Sequence, residues 1–392
     1  MIPSFDRVII LADESANWQV AGLRQLDRLA LAIDEFARSI SSQRKVEIVI
    51  FWRPDIPAQE RWQPNDPRLT RCQFVEGLSV GATQRVLNTR LLVRRTGLEQ
   101  LLYDSVCLES DPTLKDESAV WRRLWQQIDD SWLHRVAERW RYITGPEQIP
   151  SAERWLLRGS GKSRDGFVSR YVNRPISRMV SQFLVKTSVT PNLWTVLITA
   201  LPVIGFFFFI RGTYAGFVIG ALLFNLHSIL DGCDGEIARA KYLDSEKGPG
   251  IDAIGDLISL LLFSIGLGFG LFRNAQPSGF SQWIFLGEGL LTALFLVLRL
   301  GPDHVFDLLR RGPAAVISTA NDERLRSSGG QVFGDRITSW AFELTKRDVV
   351  FLLFLLGLAL GLARLVLNLL FLYALLTLVL SWRGRSRQET AV

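Results

Sequence analysis

The sequence predicts an α-helical integral membrane domain of six transmembrane helices, preceded by a small cytosolic α/β domain. Charged residues are frequent up to Lys186, and eight of the twelve tryptophans lie in that first part. After Lys186, several stretches of about 15–24 residues carry no charge, which is long enough, or nearly so, to cross a bilayer core. The mean hydropathy of the 392 residues is +0.17, and a soluble chain of this length rarely averages above zero.

The composition disfavours several other classes of protein. Cys72, Cys107 and Cys233 stand at unrelated spacings, which fit neither a disulfide framework nor a zinc site. The three histidines disfavour histidine-based metal chemistry. A net charge of +6 without a basic stripe interleaved with aromatics fits the flanks of a membrane protein, so no nucleic-acid partner is expected.

Residues 1–145 are predicted to form the cytosolic α/β domain. Two apolar strand-like runs flank a helical pattern, and this order favours a parallel pair of strands. No signal peptide is indicated at the start of the chain, because its basic and small-residue elements are missing. The predicted elements are strands at 8–12, 46–52 and 90–93, a helix at 23–39, and a tryptophan-rich amphipathic helix at 120–140.

Residues 146–169 are predicted to be a flexible basic linker. The run 159–163 resembles a phosphate-binding loop, but Leu156 stands where that pattern requires glycine, and no strand precedes it. A basic amphipathic helix at 170–186, suited to the headgroup region, then opens the membrane domain, which is predicted to extend to residue 382. Residues 383–392 are predicted to be a basic cytoplasmic tail.

Hydropathy predicts six spans, at 191–210, 213–232, 250–272, 282–300, 348–363 and 365–382. Lysine and arginine are concentrated in the connections on one side, above all in the one that contains Arg310, Arg311, Arg324, Arg326 and Arg336. The excess of lysine and arginine marks the cytoplasmic side. Because the number of predicted spans is even, both termini are expected in the cytoplasm of a multi-pass inner-membrane protein.

Acidic residues are concentrated around the connection between the second and third spans. At about 100° per residue, Asp231, Asp234, Gly235 and Ala238 share one face of the second helix. Gly248, Asp252 and Asp256, which are four residues apart, share one face of the third. Two antiparallel helices joined by a short loop can therefore direct four carboxylates at one space.

Four carboxylates beside a membrane would repel each other unless cations neutralised them. Oxygen ligands suit Mg²⁺, Mn²⁺ or Ca²⁺ rather than zinc, and two such ions can polarise a phosphoanhydride. Gly235 and Ala238 leave room for a flat group against the helix, and Arg239 can neutralise a phosphate. A solvated helix end would explain one such aspartate, but not eight specified positions at fixed spacing.

The stretch 231–256 reads Asp-x2-Asp-Gly-x2-Ala-Arg, eight residues, then Gly-x3-Asp-x3-Asp. It resembles the signature of the CDP-alcohol phosphotransferase (CDP-alcohol phosphatidyltransferase) family at every position. Three further motifs resemble the family's di-myo-inositol-phosphate-phosphate synthase branch, at 165–177, 190–195 and 346–348. The resemblance covers about 160–382 and implies a homodimer that transfers a substituted phosphate from a CDP-linked donor to an alcohol acceptor, releasing CMP.

The same resemblance implies a role for each signature residue. Asp231, Asp234 and Asp252 would bind two Mg²⁺ or Mn²⁺ ions and the donor diphosphate. Asp256 would also contact metal and act as general base. The remaining donor-binding residues would be Gly235, Ala238, Arg239, Gly248, Asn192 and Thr195.

An anionic acceptor would need further cations, and the candidates are Arg299 and Arg347. Snorkelling would equally explain Arg299, and a positive-inside anchor would explain Arg347. The acceptor could be an inositol phosphate, another polyol phosphate or a lipid alcohol, and a phosphatidyltransferase that uses CDP-diacylglycerol is the alternative. A non-catalytic membrane scaffold is the hypothesis from a different class.

Bifunctional members of this branch carry a sugar-nucleotidyltransferase-like domain before the membrane part, and residues 8–52 resemble it in their strand-helix-strand order. The segment after the first strand, from Asp13 to Trp18, lacks the Gly-rich loop with Arg and Lys that would hold a triphosphate. We therefore expect a degenerate, non-catalytic domain.

Overall fold

The computed structural model describes residues 7–40, 45–77, 84–104, 106–107, 116–132, 138–159, 166–245, 247–275, 281–299 and 346–389. The chain divides into two compact units. The first comprises Met1–Ser160 with the short segments Val185–Thr187 and Arg239–Tyr242, and the second comprises Gly161–Leu184, Ser188–Ala238 and Leu243–Val392.

The described part of the first unit mixes short strands with four helices. Its strands are β1 (Arg7–Ala12), β2 (Gln19–Val20), β3 (Leu23–Arg24), β4 (Val46–Trp52), β5 (Cys72–Phe74), β6 (Gln84–Asn88), β7 (Leu91–Val93), β8 (Val106–Cys107) and β9 (Trp140–Tyr142). Its helices are α1 (Gln25–Ile40), α2 (Leu98–Asp104), α3 (Glu117–Trp132) and α4 (Ile149–Arg158).

The main sheet has the strand order β5-β4-β1-β6-β8, and only β8 is antiparallel to its neighbour. β1 pairs with β4 from Arg7–Glu47 to Ala12–Trp52, with α1 as the crossover. The predicted parallel pair is therefore confirmed. Val8 to Ala12 are completely buried, which explains why β1 is a continuous apolar run rather than an alternating one.

The predicted third strand exists but lies outside this sheet. Leu91–Val93 pairs antiparallel with β9 in a separate two-stranded sheet. The second neighbour of β1 is instead β6, whose polar residues Gln84, Arg85 and Asn88 leave only a short apolar run. Because that run is short, hydropathy alone does not predict the strand.

The predicted tryptophan-rich helix at 120–140 is wrong at its carboxyl end. Helix α3 ends at Trp132, and Trp140 lies in β9, where it pairs with Val93. Trp140 and Tyr142 are buried while Arg141 between them is partly exposed, which is the alternation of a strand. Trp140 packs edge-on against Trp132, with ring centroids 4.5 Å apart. The two tryptophans are eight residues apart, which coincides with a helical repeat although Trp140 lies in a strand.

The predicted linker at 146–169, and with it the domain boundary at residue 145, must be corrected. Helix α4 occupies Ile149–Arg158 and buries Ala152 against Val20, Leu92 and Ile143. These residues belong to the first unit, which extends to Ser160. Lys162 and Ser163 of the phosphate-loop-like run lie outside the described residues.

The described part of the second unit is helical. A π-helical turn at Ser169–Asn173 leads into α5 (Arg174–Leu184). The helices that follow are α6 (Pro191–Ile198), α7 (Ala200–Phe209), α8 (Tyr214–Leu230), α9 (Gly232–Lys241), α10 (Gly248–Asn274), α11 (Ser281–Leu298), α12 (Arg347–Ala359) and α13 (Ala363–Glu389).

Three stretches of the described chain are long and apolar enough to cross a membrane. They are Pro191–Phe209, Tyr214–Lys241 and Gly248–Asn274, at the first three predicted spans. At the fourth and sixth predicted spans the apolar stretches are shorter, Gln282–Leu298 and Ala363–Val379. At the fifth predicted span, α12 has 13 residues and is followed by Gly361 at φ +78. The sixth lies in α13, a 27-residue helix that continues into the predicted basic tail. The arginine-rich connection between α11 and α12 lies outside the described residues.

A cluster of aromatic rings holds the second unit together. Phe209, Phe224, Phe263 and Phe351 come from four helices and are almost completely buried. The ring centroids of Phe209, Phe224 and Phe263 lie 5.0–5.3 Å apart. This packing fixes α8, α10 and α12 against one another, and these three helices carry the charged residues of the site.

The amphipathic character predicted for residues 170–186 is present in α5. Its apolar side chains are exposed, with Met179 at 57% and Phe183 at 71%, whereas Ser177 and Ser181 are completely buried. A helix that turns apolar groups outward and polar groups inward is suited to the boundary between headgroups and acyl chains.

Candidate active site

Three carboxylates converge where α8 meets α9 and where α10 begins. Asp231 stands at the junction of α8 and α9, and its backbone N–H still donates to the carbonyl of His227 at 2.9 Å. Asp252 and Asp256 follow each other by one turn in α10. One oxygen from each of the three carboxylates can be chosen so that all three lie within 4.8 Å of one another.

This arrangement fits a divalent cation. Ligand oxygens about 2.0–2.6 Å from one ion are at most about 4–5 Å apart, which is the separation found here. All the donor atoms are carboxylate oxygens, which favour Mg²⁺, Mn²⁺ or Ca²⁺. The three aspartate side chains could therefore serve as ligands of a hard cation.

Arg347, the first residue of α12, lies inside this carboxylate cluster. Its Nη2 is 2.5 Å from Oδ2 of Asp231, and its Nη1 contacts Oδ1 of Asp256. One guanidinium thus bridges the two helices that supply the aspartates. The sequence predicted Arg347 as an acceptor ligand or an anchor, and the structure places it on the predicted metal ligands.

Asp234 is not a member of the three-carboxylate cluster. Its Oδ2 accepts a 2.7 Å hydrogen bond from the hydroxyl of Thr195, and its Oδ1 accepts one from the backbone N–H of Gly235 at 2.5 Å. The sequence predicted that all four aspartates point at one space. Instead, Asp234 is directed toward α6, which brings together two residues that the resemblance assigned to donor binding.

Two further contacts place α6 beside the signature. Its N-cap residue Thr190 accepts from the N–H of Leu193, and the indole of Trp194 donates to the carbonyl of Leu230 at 3.0 Å. Asn192 faces Gly248, because a Cβ built at Gly248 would lie 3.6 Å from Oδ1 of Asn192. That separation is an ordinary van der Waals contact, so the two residues are neighbours.

The other predicted residues take separate positions. Ala238 is buried in α9, and Arg239 follows it on the same helix. Arg299 follows α11, where its Nη1 is 3.5 Å from the hydroxyl of Tyr373 and its carbonyl accepts from Ser381. The contacts of Arg299 are thus with α13, and the structure does not bring it together with Arg347.

A buried ion pair, not assigned a role from the sequence, fixes the signature helix to α5. Glu236 is completely buried and accepts from Arg174 at 3.1 Å and from the hydroxyl of Ser177 at 2.9 Å. Both partners lie in the stretch 173–177 that carried part of the resemblance. Their contacts hold α9 against α5.

Glu236→Gln is expected to destabilise the protein by about 3–5 kcal/mol, because it leaves Arg174 buried without its counter-charge. Thermal unfolding in detergent, followed by tryptophan fluorescence, measures the loss. Replacing both partners, as Glu236→Leu with Arg174→Met, should recover most of it, because no buried charge then remains. Unfolding of Glu236→Gln at the wild-type temperature would contradict this role.

His227 is a second residue that the sequence analysis did not assign. It lies one turn before Asp231, is 1% exposed, and neither of its ring nitrogens has a hydrogen-bond partner. It is close enough to Asp231 and Arg347 to interact electrostatically with both. The i–4 spacing from Asp231, which places both residues on one helix face, was the signal that could have revealed it.

An apolar groove of about 500 Å³ opens between α6–α7 and α10. Thr195 and Gly255 line it near the carboxylates, and the rest of the lining is mostly aliphatic. The groove therefore combines a polar margin beside the site with an apolar body.

A family model described as CDP-alcohol phosphatidyltransferase matches residues 188–320. The chain is similar to proteins named "Bifunctional IPC transferase and DIPP synthase" from several organisms. The Thermococcus kodakarensis protein is 39% identical over 132 residues, which is 32% of this chain and 29% of the relative. The Archaeoglobus fulgidus protein is 39% identical over 130 residues (32% and 25%), and the Aquifex aeolicus protein is 33% identical over 148 residues (37% and 32%).

These alignments span only 25–32% of the relatives' own length. The family match, however, contains the whole signature and all three residues of the carboxylate cluster. Residues 188–320 are therefore similar to the CDP-alcohol phosphatidyltransferase family, and the similarity includes the carboxylate cluster.

Proposed function

We propose that this chain is a membrane enzyme that transfers a substituted phosphate from a CDP-linked donor to an alcohol acceptor and releases CMP. The observation that carries the proposal is the convergence of Asp231, Asp252 and Asp256 within the segment that matches the family. A scaffold would have no need for three carboxylates this close together, because their mutual repulsion is costly.

In this proposal, Asp231, Asp252 and Asp256 hold two divalent cations, Mg²⁺ or Mn²⁺, and Asp234 is a further ligand. The bound cations would polarise the phosphoanhydride and neutralise the charge that develops on CMP. Thr195 orients the Asp234 carboxylate through the hydrogen bond described above. Asn192, Gly235, Ala238, Arg239 and Gly248 are proposed to bind the cytidine diphosphate half of the donor.

Asp256 is proposed as the general base. Its carboxylate accepts the proton of the acceptor hydroxyl as the hydroxyl oxygen bonds to the donor's outer phosphorus. The bond between that phosphorus and the CMP oxygen breaks, and CMP leaves with the electron pair. An alcohol is a poor nucleophile at neutral pH, so a positioned base is expected to contribute about 10²–10⁴-fold.

The acceptor is proposed to be an inositol phosphate or another polyol phosphate. The apolar groove beside Thr195 and Gly255 favours a second candidate, a phosphatidyltransferase that uses CDP-diacylglycerol, because a lipid chain could occupy it. Six spans, a homodimer, and an inner-membrane location with cytoplasmic termini complete the proposal.

The test is CMP release by the purified full chain. Separate reactions contain radiolabelled CDP-inositol, CDP-glycerol or CDP-diacylglycerol, each with candidate alcohol acceptors. We expect one donor to give acceptor-dependent CMP, and the identity of that donor separates the two candidates. The matched control is Asp231→Asn, which should release none. CMP release that stays at the background level with every donor would overturn the proposed function.

The first unit is proposed to have no nucleotidyltransferase activity. In doubly wound sheets, ligands bind beyond the carboxyl ends of the strands where the strand order reverses, which here is between β1 and β6. Asp13 follows β1 there and is 1% exposed. It accepts from the N–H of Ser15 at 2.9 Å and from Arg90 at 3.1 Å. Internal contacts thus engage the carboxylate at this position.

The full chain given CTP and an inositol phosphate is therefore expected to form no CDP-inositol. Pyrophosphate release measures the reaction, and CMP release by the same preparation from its CDP-linked donor confirms that the protein is active. Formation of pyrophosphate above that of a protein-free reaction would show that the first unit is a nucleotidyltransferase.

A further inference from the structure

Arg347 occupies the position that a cation between Asp231 and Asp256 would need. Its guanidinium lies between these two carboxylates, whose side chains are 12% and 31% exposed. A divalent ion bound there would take oxygens from the same two carboxylates at about 2.0–2.6 Å. A divalent ion that took Oδ2 of Asp231 and Oδ1 of Asp256, the oxygens that Arg347 contacts, would collide with the guanidinium and be repelled by its positive charge.

The backbone at the start of α12 is held independently of this ion pair. The carboxylate of Asp348 accepts a 2.6 Å hydrogen bond from the backbone N–H of Ser169, at the beginning of the π-helical turn. Phe351, four residues after Arg347, is buried in the aromatic cluster. The Arg347 side chain can therefore leave the carboxylates by rotating about its own bonds while α12 stays in place.

The charge balance favours such an exchange. Three carboxylates facing a single guanidinium retain a net charge of about −2, which a divalent cation neutralises better. The displaced guanidinium keeps its planar fork, which is the geometry that binds a phosphate through two parallel hydrogen bonds. The displaced guanidinium would remain at the start of α12, beside the site.

We propose that Arg347 is an exchangeable counter-ion: it pairs with Asp231 and Asp256 before metal binds, and it binds the phosphate of the acceptor once metal has displaced it. This inference rests on the proposed function. It makes metal and acceptor phosphate bind cooperatively, since each stabilises the displaced position of Arg347. Coupling between two sites is reciprocal, so either ligand must tighten the other by the same factor.

The experiment measures Mn²⁺ affinity by electron paramagnetic resonance on the purified full chain, with and without methyl phosphate as a phosphomonoester probe. The variants are Arg347→Gln and, as a matched control, Arg273→Gln at the far end of α10, where Arg273 donates to the carbonyl of Ile210. We expect Arg347→Gln to bind Mn²⁺ about 5–150-fold more tightly than the wild type, the usual range of coupling between sites. Arg273→Gln should match the wild type.

Methyl phosphate should tighten Mn²⁺ binding in the wild type. Its effect should be smaller in Arg347→Gln, because the variant lacks the guanidinium that would bind the phosphate. Unchanged or weaker Mn²⁺ binding by Arg347→Gln would overturn the exchange. An undiminished effect of methyl phosphate in that variant would overturn the acceptor half of the proposal. CMP release is measured on the same preparations. If the wild type binds Mn²⁺ and releases CMP, and Arg347→Gln binds Mn²⁺ with the same affinity, this inference alone is overturned. If the wild type neither binds Mn²⁺ nor releases CMP, the proposed function is overturned as well.

Discussion

Asp256→Asn is expected to lower CMP release by about 10²–10⁴-fold while leaving binding of the CDP-linked donor largely intact. Asparagine has the same shape as aspartate but cannot accept the proton of the acceptor hydroxyl. Asp231 and Asp252 remain to hold metal and donor. Single-turnover CMP release measures the chemical step, and calorimetric titration with a non-reacting CDP analogue measures donor binding.

The matched control is Asp244→Asn, an exposed aspartate in the connection between α9 and α10. It carries the same chemical change outside the carboxylate cluster and should retain wild-type turnover. Wild-type CMP release by Asp256→Asn would remove Asp256 as the base. Equal loss of turnover and donor binding would assign it to the metal site alone.

Asp252→Asn is expected to abolish both metal binding and turnover. Loss of an outer-shell partner of a metal ligand typically costs about 10–100-fold in affinity, and loss of a ligand itself should cost more. Asp252 is the middle member of the α10 face, one turn from Asp256, within the three-carboxylate cluster. We therefore expect Mn²⁺ affinity to fall by more than 100-fold, as measured by electron paramagnetic resonance.

Comparison with Asp256→Asn separates the roles of these two neighbours. If Asp252 is mainly a ligand and Asp256 mainly a base, only Asp252→Asn should lose Mn²⁺ and donor binding together. Mn²⁺ binding by Asp252→Asn at the wild-type affinity would contradict the assignment of Asp252 as a ligand. An unchanged unfolding temperature of each variant in detergent would show that neither result reflects unfolding.

Helical periodicity predicted the convergence of Asp231, Asp252 and Asp256 that the structure shows. Asp252 and Asp256 are four residues apart in an uninterrupted helix, so they share a face wherever that helix packs. Asp231 joins them because the connection between α9 and α10 is short, which makes the two segments neighbours. Local spacing and a short loop were therefore sufficient to predict these three carboxylates.

The positions of Asp234 and Arg347 depend on packing between distant segments. Asp234 lies outside the three-carboxylate cluster and accepts a hydrogen bond from Thr195, 39 residues earlier in the chain. Arg347 reaches Asp231 across 116 residues because α12 packs beside α8 through Phe351 and Phe224. No pattern within one helix contains these contacts, which is why the sequence predicted an acceptor ligand or an anchor at residue 347.

The first unit shows the same limit. Val8 to Ala12 and Val46 to Trp52 are apolar enough to predict two strands and their pairing. The position of Trp140 in the sequence fits the helical spacing of the preceding tryptophans. Its strand, however, forms by pairing with Leu91–Val93, a distant segment. Short strands such as β7 and β9 are determined by their partners rather than by their own composition.

The most direct test of the central claim, that this carboxylate cluster performs metal-dependent phosphotransfer, is CMP release under control of the metal. The full chain is treated with EDTA, passed into metal-free buffer, and assayed with its CDP-linked donor and acceptor before and after Mg²⁺ or Mn²⁺ is added. We expect background CMP release without metal, recovery when metal is added back, and no recovery in Asp252→Asn. Undiminished CMP release by the metal-free protein would contradict the claim.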